Sequence, residues 1–305
     1  MNENMKDLNS KLAQIVEDCR HYAKEGAVAT YIPELAKADT DKLGVYIVSG
    51  DDGYFAGDCS TKFTMQSIVK PVILLLALRD AGVERVRELV GVEATGKPFD
   101  TFNYTDLALR NEHINPMVNA GAIALCTLIK GDTSEEKINR LLEFTRALAK
   151  NDSLEIDKSV YLSEKATGNK NRALAYMLIA YKMINENVEE LLDCYFSACS
   201  IKVDCRDLAN IGFSLSHTRS GGITKEEARF INAILSTSGM YDGSGEFALN
   251  VGIPAKSGVG GGIMAVVPKS MGIGVYSPAL DKKGNSVAGK KVLEIISKSL
   301  DLSIF

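Results

Sequence analysis

Tryptophan is absent from this 305-residue chain, and histidine (three), cysteine (six) and proline (seven) are scarce. With only His21, His113 and His217, and no Gly-x-Ser-x-Gly elbow, a Ser-His-Asp hydrolase has little material to work with. The cysteines (Cys19, Cys59, Cys126, Cys194, Cys199, Cys205) lack any C-x-x-C spacing and mostly fall inside apolar helical pattern. They read as reduced core thiols, and neither a metal site nor a cofactor is implied. Clustered basic residues are also missing: the net charge is -4, which excludes nucleic acid as a partner because phosphate binding needs grouped Lys and Arg. No apolar run approaches a membrane span. The first residues lead into a charged amphipathic stretch rather than an apolar h-region, so a cytoplasmic protein without a membrane partner is expected. There is no internal repeat, low-complexity tract or linker, and the length suffices for one large domain or two intimately joined ones.

What is present is concentrated in two short motifs. Ser67-Ile68-Val69-Lys70 precedes an apolar run from Pro71 to Leu78, and Pro71, lacking an N–H, is tolerated only near a helix start. Residues three apart share a helix face, so Lys70 can reach the Ser67 hydroxyl. Ser-x-x-Lys alone is also compatible with a polar helix start followed by a surface lysine. The surrounding apolar residues place Lys70 where a surface lysine does not belong. Far downstream, Lys256-Ser257-Gly258-Val259-Gly260-Gly261-Gly262 leads into Ile263 to Val267. This reads either as a Gly-rich hairpin or as a buried strand kept clear so that a ligand backbone can lie against it. If the two motifs meet, burial and the like charge of Lys256 would lower the affinity of Lys70 for its proton, as a base requires.

Around these motifs the pattern predicts an opening amphipathic helix (Leu8, Leu12, Ile15, Val16). A hairpin of Val45–Val48 and Tyr54–Phe55 follows, turning at Asp51-Asp52-Gly53. An overwhelmingly helical block extends from Ser67 to about Tyr241, with caps at Thr133 and Thr224 and a C-terminal glycine at Gly239. Strands return at Ile263–Val267 and Gly272–Tyr276, before a tail helix through Val292 and Ile296. One sheet assembled from both chain ends around a helical lobe is therefore expected. The division is a sheet lobe of residues 1–65 and 242–305 and a helical lobe of 66–241, within a single domain spanning 1–305. Gly91-Val92-Glu93-Ala94-Thr95-Gly96-Lys97 fits most of a P-loop, but Pro98 stands where the magnesium-binding Ser/Thr must be, so nucleotide binding is not expected.

Ser-x-x-Lys early and Lys-Ser-Gly late is the order found in the penicillin-recognising serine enzymes. Tyr31-Ile32-Pro33-Glu34-Leu35, Asn115-Pro116-Met117-Val118-Asn119-Ala120-Gly121-Ala122, Ser238-Gly239-Met240-Tyr241-Asp242 and Pro254-Ala255-Lys256-Ser257-Gly258-Val259 then narrow the choice. In order and spacing they resemble the serine-dependent glutaminases over nearly the whole chain. The middle Ser-x-Asn or Tyr-x-Asn motif of the penicillin-binding relatives is absent, which argues against a β-lactam hydrolase. A non-catalytic glutamine sensor is the other alternative, and the intact motifs argue against it.

The resemblance implies an α/β (α+β) fold of the β-lactamase/transpeptidase-like kind, with the active site between lobe and sheet. It implies hydrolysis of L-glutamine through a Ser67 acyl-enzyme, with Lys70 as base, Tyr241 as proton relay, Ser257 in the catalytic set, and the Ser67 and Val259 amides as oxyanion donors. Carried over in the same way, Tyr31, Asn119, Glu164, Asn171 and Tyr195 line the substrate pocket. As the one anion among them, Glu164 would pair the substrate ammonium, while the amides and the Tyr195 phenol would donate to the carboxylate. The resemblance also suggests a homo-oligomer, a dimer or a tetramer.

Overall fold

The computed structural model describes residues 7–94, 114–216 and 222–305. His113, His217 and the end of the P-loop-like segment from Thr95 lie outside them. Helix α1 (Leu8–Cys19) buries Leu8, Leu12, Val16 and Cys19 on one face, the spacing read from the sequence. Strands β1 (Gly44–Ser49) and β2 (Asp52–Gly57) form the expected hairpin, but Ser49 pairs with Asp52. The turn is therefore the two residues Gly50-Asp51, one step earlier than predicted. Gly50 adopts φ +63°, a conformation open to glycine at no steric cost.

The helical block opens with α2 (Lys70–Leu89), α3 (Asn119–Cys126), α4 (Ser134–Ala149), α5 (Lys158–Thr167) and α6 (Asn169–Ala180). It closes with α7 (Val188–Cys199), α8 (Cys205–Ser216), α9 (Lys225–Ser238) and the short α10 (Ser244–Asn250). Thr224 closes a full capping box with Glu227. Thr133 accepts the Glu136 N–H, but the Glu136 carboxylate turns to Asp132 N–H instead, so that predicted box is half made.

The sequence pattern gave no sign of a three-stranded sheet inside the block. Its strands Phe63–Thr64 (β3), Glu155–Ile156 (β4) and Ile201–Val203 (β5) are too short to show an alternation. The chain then returns as β6 (Ala255–Ser257), β7 (Gly262–Val267), β8 (Met271–Tyr276) and α11 (Val287–Leu300). The main sheet is antiparallel throughout, in the order β2-β1-β8-β7-β6, and so combines both ends of the chain. Strands β7 and β8 are buried at every position because α8 covers one face and α11 packs on the other, while α1 covers the neighbouring hairpin strand β2. No helix among the described residues is long and apolar enough to cross a membrane. All six cysteines are free thiols.

Candidate active site

Strand β3 sets the position of Ser67. Its pairing with β5, extended by Met65 N–H to Ile201 C=O at 2.9 Å, delivers the chain to Gln66, which takes φ +49°. Residues Gln66–Val69 then form a 3-10 turn, and the α-helix begins only at Lys70. Ser67 thus lies one turn ahead of the helix rather than within it. In a 3-10 turn residues i and i+3 eclipse, so Ser67 and Lys70 stay on one side of the chain, and the Lys70 N–H donates to Ser67 C=O. Pro71 sits in the first turn, as expected. Lys70 is fully buried, and Ser67 is 6% exposed.

The second motif forms the β6–β7 hairpin. Its glycines do clear space, but the chain itself fills it, which corrects the ligand-backbone reading. A Cβ on Gly258 would lie 2.5 Å from Met65 O, and one on Gly260 would lie 2.7 Å from Thr64 O. The missing side chains let the hairpin press against residues 63–66, and that contact brings Lys256-Ser257 to Ser67. Lys256 is fully buried and held well below its ordinary pKa, first by burial and then by the Lys70 charge. Its Nζ donates to Ser257 C=O at 2.7 Å and lies 4.1 Å from the centre of the Tyr241 ring.

Tyr241 donates its phenol proton to the same Ser257 carbonyl at 3.0 Å, and the Ser67 side chain hydrogen-bonds the phenol. Burial pushes the phenol pKa up, and the Ser67 contact opposes this only partly. Ser257 contributes through this carbonyl. Its buried hydroxyl has no hydrogen-bond partner among the described residues. Val259 is 5% exposed within a small apolar cluster with Ile32, Leu35, Val160 and Leu280. Around it the Ser257, Gly258 and Gly261 amides are bonded to Gly239, Gly262 and Gly258 carbonyls. Neither the Ser67 nor the Val259 amide takes part in a turn or loop backbone hydrogen bond among the described residues.

Lys70 Nζ donates to Asn119 Oδ1 at 2.6 Å and to Met117 C=O at 3.2 Å. That carbonyl is presented by a turn in which Asn115 Oδ1 accepts the Met117 N–H. An asparagine therefore faces the buried lysine even though no Ser or Tyr leads it two residues earlier. Asn119 Oδ1 also accepts from the Tyr195 phenol at 3.2 Å, and its Nδ2 donates to Asn171 Oδ1 at 2.9 Å. The Tyr195 and Asn119 donors are thus paired within this network. Tyr195 lies on an apolar helical stripe and is 2% exposed, yet it is also part of this polar network.

Glu164 is a buried residue of α5. It is 5% exposed and accepts from Gln66 Nε2 at 2.8 Å. Desolvation raises its pKa to about 8, against smaller lowering effects of Gln66 and Lys70. The chain breaks between α5 and α6 at Gly168, so Glu164 and Asn171 both face one cleft.

That cleft, of about 280 Å³, is lined by Ser67, Asn119, Glu164, Asn171, Tyr195 and Val259, with Tyr31 (55% exposed) at the rim. It also takes in Gln66, Cys199 and Thr167–Lys170, which the sequence reading left out. Gln66 gave no pattern signal beyond preceding Ser67. Cys199 read as a core thiol. A larger groove of about 800 Å³, between the Leu78–Ala94 segment and α9, contains none of the predicted site residues. Among the described residues no group of His, Cys, Asp and Glu could hold a metal ion.

A sheet of this topology, carrying a Lys-Ser-Gly hairpin against a Ser-x-x-Lys turn, places the protein in the β-lactamase-like class. The chain matches the Glutaminase family over residues 26–305. It is 50% identical over 305 residues to a glutaminase of Clostridium tetani, covering 98% of this chain and 100% of the relative. It is 51% identical over 301 residues to one of Clostridioides difficile, covering 96% and 97%. A solved Bacillus subtilis glutaminase, in covalent complex with 5-oxo-L-norleucine formed from 6-diazo-5-oxo-L-norleucine, superposes with a TM-score of 0.88. It is 36% identical, over 97% of this chain and 99% of that one. The chain belongs to the glutaminase family.

Proposed function

We propose that this glutaminase converts L-glutamine and water to L-glutamate and ammonia through a glutamyl ester on Ser67. The observation that carries the reading is the cleft that joins the Ser67 hydroxyl to the buried carboxyl group of Glu164. Glu164 pairs the α-ammonium, while Asn119, Asn171 and Tyr195 exchange their mutual bonds for the α-carboxylate, and Tyr31 closes the rim. Ser67 Oγ attacks the side-chain carboxamide carbon as Lys70, in its neutral form, accepts the proton, and the Ser67 and Val259 amides hold the resulting oxyanion. Tyr241, joined to Ser257 C=O and Lys256, passes a proton to the departing ammonia. Water then attacks the ester by the reverse proton route, releasing glutamate and restoring the Ser67 hydroxyl. The diazo-ketone adduct of the Bacillus subtilis relative supports a nucleophile at the reacting carbon of the substrate. The proposal includes a single domain of sheet lobe and helical lobe, working as a cytoplasmic dimer or tetramer, which analytical sedimentation tests for the assembly.

Ammonia release from L-glutamine and from N-acetyl-L-glutamine, by wild type and Glu164→Gln, tests the recognition. Wild type should strongly prefer glutamine, and the substitution should raise its KM while costing the N-acetyl compound little. Equal losses on both substrates would show that Glu164 does not read the ammonium.

A further inference from the structure

Tyr241 has φ +53°, a left-handed conformation that is an outlier for an aromatic residue. Such a backbone persists only where its surroundings over-determine it, and two side chains outside the cleft do so here. Ser244 Oγ accepts the Met240 N–H at 3.1 Å and donates to Tyr241 C=O at 2.8 Å, bracketing the strained peptide from both sides. Asn285 Nδ2, from the segment before α11, donates to Met240 C=O at 3.1 Å. Asn285 is 1% exposed, and its Oδ1 has no partner among the described residues. A buried amide with half its capacity unused is a cost to the fold, and its one side-chain bond goes to the residue before Tyr241. Asn285 is itself anchored: its N–H donates to Asp281 Oδ1 at 3.0 Å, Asp281 N–H donates to Asn285 C=O at 2.8 Å, and Lys290 Nζ holds Asp281 Oδ2 at 2.5 Å.

We propose that Ser244, backed by Asn285, is a positioning residue that aims the Tyr241 phenol at Ser67 and the Ser257 carbonyl. This rests on the relay role given to Tyr241 above. Neither residue lines the substrate cleft, so the effect belongs in turnover and not in affinity. An unclamped Tyr241 relaxes toward negative φ and carries the phenol away from Ser67, and a displacement of about 1 Å at a reacting group can cost about a hundredfold in rate.

The test is kcat and KM for L-glutamine in Ser244→Ala, Ser244→Thr, Tyr241→Phe and the Tyr241→Phe/Ser244→Ala pair, with thermal melts alongside. Ser244→Ala should lose about ten- to a hundredfold in kcat with KM within about twofold, and Ser244→Thr, which keeps the hydroxyl, should recover most of the loss. With Tyr241 already Phe, removing Ser244 should cost less than about twofold, because the clamp acts through the phenol. Asn285→Asp, which turns the donor into an acceptor facing Met240 C=O, should show the same turnover-selective, Tyr241-dependent loss and covers the case in which Ser244→Ala does not fold. Equal losses in both backgrounds, or a loss confined to KM, would overturn the proposal. Near-normal turnover in Tyr241→Phe alone would instead remove the relay reading beneath it.

Discussion

Burial governs the behaviour of Glu164, and through it the pH response of the cleft. Its carboxyl holds a proton up to about pH 8, because desolvation outweighs Gln66 and Lys70. A substrate ammonium needs the anion, so kcat/KM for glutamine should climb about tenfold per pH unit below 8 and level off above it. Glu164→Gln should flatten that limb, and a wild-type profile flat from pH 6 to 9 would contradict the assignment. The same shift acts on stability. The folded-state pKa lies above the unfolded one, so the group weakens the fold as pH rises from the usual carboxylate range through about 8. Glu164→Gln should therefore melt at a higher temperature than wild type at pH 8, even as glutamine binding weakens.

Lys70 makes a complementary case. An arginine keeps its charge and cannot serve as a base near neutral pH, so Lys70→Arg should be nearly as damaging as Lys70→Ala. Retention of more than about a tenth of wild-type turnover, a loss under about 1.4 kcal/mol, would make Lys70 an electrostatic element and leave the base elsewhere. The sequence nominated Ser67 and Lys70 directly, because a lysine in an apolar run contradicts its surroundings. It could not nominate Glu164, Asn119 or Tyr195 without the family match, since a lone acid and a tyrosine on an apolar stripe are ordinary surface and core residues. Gln66 escaped altogether: a positive φ at a glutamine leaves no trace in spacing.

Elements with sustained periodicity were legible. Helices α1, α4, α7 and α11 occur where their apolar residues recur at helical spacing, and β1, β7 and β8 where β-branched runs stand between breakers. The short strands β3 and β5 were not legible, although their pairing is what delivers Ser67 to the hairpin. Gly239 shows how a right residue can be read for the wrong reason. It ends α9 as expected, but at φ -73°, so no left-handed cap is needed. Its requirement is proximity: a Cβ there would lie 1.7 Å from Ala255 O, on the strand that carries Lys256 and Ser257. Gly239→Ala must therefore displace β6, and should cost about 1–3 kcal/mol of stability together with a fall in kcat. A urea unfolding midpoint and turnover both within error of wild type would refute that packing.

Across the whole molecule, the site exists because distant stretches of chain converge. The sheet joins residues 44–57 to residues 255–276, while the helical block supplies Asn119, Glu164, Asn171 and Tyr195 from the other side. Strand signals at both chain ends, around a helical middle, foretold a sheet made from both ends. They did not foretell that α8, within the helical block, would lie on that sheet. The proposed mechanism passes an acyl group through one hydroxyl in this junction. Acid quenching of wild type during steady turnover of L-glutamine, followed by peptide mapping, tests this most directly. A glutamyl ester on Ser67, absent from Ser67→Ala, which should still bind glutamine but release no ammonia, is the predicted result. A glutamyl group on any other residue, or ammonia release from Ser67→Ala at a near-normal rate, would contradict it.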